Sequence, residues 1–153
     1  MPSSQQFTDK SSEVIQEAFS DAQTRGSSHV LALDLAQALL QEKSDFAKNI
    51  LKKARGDAKV ALEVIRGSLA RKPSQSPPPT SVSPSPDFLK VLAEAERLQG
   101  EQQDSHIALD HLMVALTIDK EVLQAFGVSK SELLTAIQGV RGSKKIRSKS
   151  AEN

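Results

Sequence analysis

The sequence predicts an all-α domain, a tandem duplication of a four-helix unit packed as a pseudo-twofold eight-helix domain. Three observations predict it. Apolar residues recur at three- and four-residue intervals through every segment outside the middle of the chain, and no segment alternates at period two. The stretch `SSHVLALDLAQALL` reads again as `DSHIALDHLMVALT`, 77 positions on, with His29 meeting His106. Six of the seven prolines fall between Arg71 and Phe88, in `RKPSQSPPPTSVSPSPDF`, which is where one copy would have to be joined to the next.

Taken in order, the first half offers four apolar stripes at helical spacing. They are Val14, Ile15, Ala18, Phe19 and Ala22; Leu35, Leu39 and Leu40; Phe46, Ala47, Ile50, Leu51 and Ala54; and Val60, Ala61, Val64, Ile65 and Leu69. The second half repeats them with Phe88, Leu92 and Ala95, then Leu112, Val114, Ala115 and Leu116. Val122, Leu123 and Phe126 follow, and Leu133, Leu134, Ile137 and Val140 complete the set. Ser85-Pro86-Asp87 supplies an N-cap, a proline at the first helical position and a carboxylate where the helix dipole favours one. Gly100 and Gly127 are expected to stop helices, and Ser129 to Glu132 reads as a capping box.

The register holds on both sides of the connector. Val14 pairs with Val91, Ala18 with Ala95 and Leu39 with Leu116 at the shift of 77. Beyond them Leu62 pairs with Leu134 and Ile65 with Ile137, five positions having been lost to a shorter turn after `VALT`. A first repeat at 7–72, a connector at 73–86 and a second repeat at 87–142 follow. A lone four-helix unit with stripes this short makes a poor independent domain, so the two copies are expected to share one core. Proline-rich sequence without apolar periodicity stays extended, and the connector is assigned no packing role.

Composition narrows the function. A formal net charge of +1 gives no reason to expect nucleic acid or an anionic membrane as partner. Absence of Trp and Tyr leaves few platforms for stacking bases. Absence of cysteine removes disulfides and thiol chemistry. The start, `MPSSQQFTDK`, has neither a basic nor an apolar leader region, which points to a cytoplasmic protein. There is no phosphate-binding `GxxxxGK[ST]` and no `HExxH`, and His106 and His111 stand five apart, so no catalytic residue, metal site or cofactor is assigned. The basic tail, Arg141, Lys144, Lys145, Arg147 and Lys149, carries no aromatic residue and is expected to be a solvated linker.

Phe7-Thr8 near the start and `DSHIALDHLMVAL` (Asp104 to Leu116), together with the duplication and the connector, resemble the amino-terminal domain of the Clp family of AAA+ unfoldases. The terminal `VRGSKKIRSKSAEN` is similar to the segment that leads into the family's first ATPase ring, and `PSQSPPP` looks like the connector of plant cytosolic ClpB-type heat-shock disaggregases. The sequence departs from the family at Asp34, where His is common, and at Asp110, where Glu is common.

The resemblance implies a non-catalytic module that binds exposed apolar segments of unfolded or aggregated polypeptides in a shallow groove, with ATP and hexamer contacts in modules beyond Asn153. The isolated domain is expected to be monomeric. An adaptor-docking domain of a protease-coupled unfoldase, or a helical scaffold without clients, are the alternatives. Carried over by position, Thr8, Asp104 and Asp110 match family residues implicated in substrate engagement, and Leu92 and Leu98 lie on the helix expected to form one wall. Each also has a plainer structural role: Thr8 as an N-cap, the two aspartates at a helix start, and the two leucines in the core.

Overall fold

In a computed structural model covering residues 1–153, eight α-helices form two groups of four. The first group is α1 (Asp9–Thr24), α2 (Ala32–Leu40), α3 (Phe46–Lys53) and α4 (Ala58–Ala70), and the second is α5 (Pro86–Glu101), α6 (Leu109–Ala115), α7 (Lys120–Phe126) and α8 (Lys130–Arg141). The helices start where short polar side chains can take up free N–H groups. Thr8 accepts from Ser11 N, Asp57 from Lys59 and Val60 N, Ser85 from Phe88 N, Asp119 from Val122 N, and Ser129 from Glu132 N. The capping box and the proline at the start of α5 stand as the sequence predicts.

Gly127 ends α7 in the left-handed region at φ 69°. Gly100 does not end α5, which runs through it to Glu101; Gln103 takes the left-handed turn instead, at φ 59°.

One continuous core draws on all eight helices, from Val14 of α1 to Ile137 of α8. Phe19 of the first half meets Phe88 of the second edge to face, with ring centroids 5.6 Å apart. The stripes are narrower than the sequence suggests. In α4 only Ala61, Ile65 and Leu69 are buried, a strict four-residue spacing, while Val60 and Val64 face solvent. In α8 Leu134 and Val140 are likewise exposed.

Two short parallel pairings, which the absence of period-two segments did not predict, join the halves. Residues His29–Val30 (β1) run beside Ser83–Pro84 (β2), and Phe7 bridges Ile107. The shift of 77 maps Phe7 onto Pro84 and Val30 onto Ile107, so this is one contact made twice. Ser85 N–H donates to Val30 O at 2.9 Å, and Thr8 N–H to Ile107 O at 3.0 Å. Each half's entry segment thus lies against the other half, which places both helix-capping hydroxyls on the seam.

The connector is more than a tether. Gln75 N–H donates to Gly26 O at 2.8 Å, and Gln23 Nε2 reaches the carbonyls of Pro79 and Thr80.

Candidate functional site

Thr8, Asp104 and Asp110 converge at the second-half seam. Thr8, wholly buried, caps α1 by accepting the Ser11 N–H at 3.2 Å. Asp110, in the first turn of α6, accepts the His111 N–H at 2.9 Å. Asp104 lies in the turn before α6 with its side chain covered, and it takes the N–H of Ile146 at 2.9 Å. Arg141, the last residue of α8, joins the two aspartates: its Nη1 is 2.7 Å from Asp104 Oδ2 and its Nε 3.2 Å from Asp110 Oδ2.

The same geometry fixes the His111 ring. Its Nδ1 accepts the Ala108 N–H at 2.8 Å, so the proton sits on Nε2, 2.8 Å from Asp104 Oδ2. Burial pushes the Asp104 carboxyl up, but the Ile146 N–H, Arg141 and His111 outweigh it and hold the group below the ordinary aspartate range. The sequence reading assigns Arg141 to a solvated basic tail, whereas it ends α8 and pairs with both aspartates, and Ile146 is not singled out at all. Arg141 and Ile146 contact Asp104 from 37 and 42 positions away, a separation that leaves no local pattern.

In the first half Asp34 occupies the position of His111 and solves the same problem differently. Its Oδ2 accepts the Leu31 N–H at 2.8 Å, and Arg25 Nη2 contacts both carboxylate oxygens at 2.9 and 2.8 Å. His29 and His106 each bond the serine before them, Ser28 at 3.0 Å and Ser105 at 2.7 Å.

Leu92 and Leu98 do not form a wall. Both are buried in the core, 0% and 5% exposed, because they lie on the face of α5 that the helix turns inward. An apolar cleft exists nearby, but other residues build it. Phe46 at the start of α3, Leu109 of α6, and Ile137 and Val140 of α8 line a cavity of about 310 Å³ together with Lys10, Asp110 and Arg141, and Ile146, Ala151 and Glu152 of the tail complete its wall. It continues past Phe46 and Val140 toward Asn49, Lys52 and Lys53. Val140, 48% exposed, is the most open large apolar residue of the groove.

The basic tail keeps Lys144, Lys145 and Arg147 in solvent but is docked through its main chain. After Gly142 the chain turns back across this cleft: Ser105 N–H donates to Ile146 O at 2.8 Å, and Asp9 N–H to Lys149 O at 2.8 Å. The Glu152 carboxylate then accepts the Thr8 hydroxyl and the Leu109 N–H, the latter at 2.9 Å. Burial raises the Glu152 carboxyl above the ordinary range; Thr8 and Leu109 offset part of that, while Asp110 adds to it.

Residues 6–130 match the family model described as the Clp repeat (R) N-terminal domain. The chain belongs to that family. As a Clp repeat N-terminal domain it is 37% identical to heat shock protein 104 of Schizosaccharomyces pombe, over 95% of this chain and 17% of that protein. It is 31% identical to chaperone protein ClpB 1 of Parasynechococcus marenigrum, over 99% of this chain and 18% of that protein. The chain therefore spans less than a fifth of the length of these relatives.

Among solved structures, the Hsp104 N-terminal domain from Candida albicans superposes with a TM-score of 0.86 at 29% identity, covering 96% of this chain and 99% of that one. The N-terminal domain of ClpD from Arabidopsis thaliana shares the fold, with a TM-score of 0.66 at 19% identity over 90% of this chain and 96% of that one. The all-α, duplicated architecture read from the sequence is thus the Clp repeat N-domain fold. No helix is long and apolar enough to cross a membrane.

Proposed function

We propose that this Clp repeat domain is the substrate-engaging module of a heat-shock protein disaggregase. It takes up exposed apolar segments of unfolded or aggregated polypeptides and passes them to an ATPase ring carried elsewhere in the full-length protein. The domain itself is non-catalytic. ATP binding and hexamer contacts belong to the larger protein, the isolated domain is monomeric, and the setting is cytoplasmic.

The observation that carries this reading is the seam groove, in which Phe46 of α3 and Val140 of α8 stay partly open over the buried Leu109 and Ile137, with Lys10, Asp110 and Arg141 also lining it. An unfolded chain displays apolar side chains, and a shallow apolar cleft with few polar groups holds them weakly enough to release them. That relatives over the whole domain are named heat shock protein 104 and ClpB supports the same reading.

The test is a titration with carboxymethylated, permanently unfolded α-lactalbumin, with native lysozyme as the folded control. Val140→Asp puts a charge on an exposed wall residue, so the melting temperature should hold while client affinity falls at least about tenfold, the scale of a charge facing an apolar ligand. Thr8→Ser should lose less client affinity than Thr8→Ala, and Asp110→Asn should lose some. Unchanged affinity in folded Val140→Asp overturns the assignment of the groove.

A further inference from the structure

We propose that the seam groove is a receptor for an extended peptide that carries a carboxylate, and that residues 143–153 of this chain are its resident ligand. The inference rests on the groove being the client site and adds the chemistry of what it takes.

The tail is held as a peptide ligand is held. Its main chain is gripped at Ile146 O by Ser105 N–H, at Ile146 N–H by Asp104, and at Lys149 O by Asp9 N–H. These contacts read backbone rather than side-chain identity. Ile146 lends an apolar side chain to the cavity wall, and six residues on Glu152 delivers a carboxylate to the Thr8 hydroxyl and the Leu109 N–H. Lys10 lies on the same cavity and favours that charge; the opposing Asp110 is neutralised by Arg141.

None of residues 143–153 belongs to the core, and none lies in a helix or strand; Ile146, Lys149 and Glu152 are half-buried and the others exposed. An element that adds nothing to the core, held by these contacts and by exposed side-chain bonds from Lys145, Lys149 and Asn153, can leave without unfolding the domain. Thr8 and Asp104, which the family resemblance matches to substrate-engaging positions, are two of the groups that hold it. A client's apparent affinity is therefore reduced to the fraction of time the tail leaves the groove.

The test uses the labelled peptide SKKIRSKSAEN and a version with Gln in place of its Glu, titrated by fluorescence anisotropy against the whole chain and against its Glu152→Ala variant. The peptide should bind the variant several-fold more tightly than the unaltered chain, and the Gln version about tenfold more weakly, the scale of one lost charge-assisted hydrogen bond. Carboxymethylated α-lactalbumin should bind the Glu152→Ala chain more tightly and displace the peptide. Equal binding of the two peptides, or none to the variant, overturns the inference. If α-lactalbumin is nonetheless lost in Val140→Asp, the groove stands as the client site and only its ligand chemistry is refuted. Indifference of α-lactalbumin to Val140→Asp refutes both.

Discussion

Replacing Arg141 with methionine should expose how much the second-half seam depends on one guanidinium. Arg141 touches both aspartates and is itself only 15% exposed, while the Asp104 side chain is fully covered. Removing one partner of a buried pair leaves the other charge uncompensated, at about 3–5 kcal/mol. Asp104 keeps the Ile146 N–H and the His111 ring, so the expected loss is near the lower bound, about 3 kcal/mol. For a chain of this size that corresponds to a fall in melting temperature of roughly 6–12 °C.

The loss should also depend on pH. In the native chain Asp104 titrates below its unfolded value, so its stabilising contribution is complete above the unfolded value of about 3.9 and drains away as pH falls through the folded one. Methionine raises the folded value toward or past the unfolded one, and the gap between the two proteins should narrow between pH 5 and pH 3. Urea unfolding at several pH values measures this directly. Adding Asp104→Asn to the Arg141→Met chain should recover less than about 1 kcal/mol at pH 7, because the amide removes the unpaired charge but turns its NH2 toward either the Ile146 N–H or the His111 Nε2–H. A loss below about 1 kcal/mol at pH 7, or one that is the same at pH 3 and pH 7, would refute the reasoning.

Two further outcomes follow from the seam. Gly26 has φ 87°, and a Cβ there would stand 2.6 Å from Gln75 O, so Gly26→Ala should cost more than about 1 kcal/mol by thermal melting and loosen the connector. Residues 1–72 alone should give no cooperative unfolding transition by calorimetry, since Phe7, Val30 and Phe19 would each lose a partner supplied by the second half; a sharp transition matching the full chain's would show the halves to be separable.

Much of this was legible in the sequence, and the reasons are local. Helix positions follow from stripes and caps that act over three or four residues, so Ser85, Ser129 and Gly127 announce themselves. The shift of 77 makes the duplication visible because equivalent core positions need equivalent volumes. What sequence reading missed acts over long range or very short length. Two-residue pairings are too short to show alternation. Leu92 looks like a wall residue until the rotation of α5 is known, and Val140 looks like core until α8 is seated. Nothing near Glu152 signals that its partners are Thr8 and Leu109, far away along the chain.

The crossed entry segments carry a consequence for origin and for concentration. Because each half completes the other by the same contact, a single unit would have closed only as an isologous dimer, with a stability that depends on its own abundance. The dozen residues from Arg71 to Val82, spanning roughly 37 Å in a polyproline-like form at about 3.1 Å each, turn that encounter into an intramolecular one at millimolar-scale effective concentration. Such an arrangement can also be exchanged. At high protein concentration two chains whose connectors open can trade second halves and rebuild both seams without losing one native contact outside the connector, so a swapped dimer is the natural by-product of how this domain is tied together.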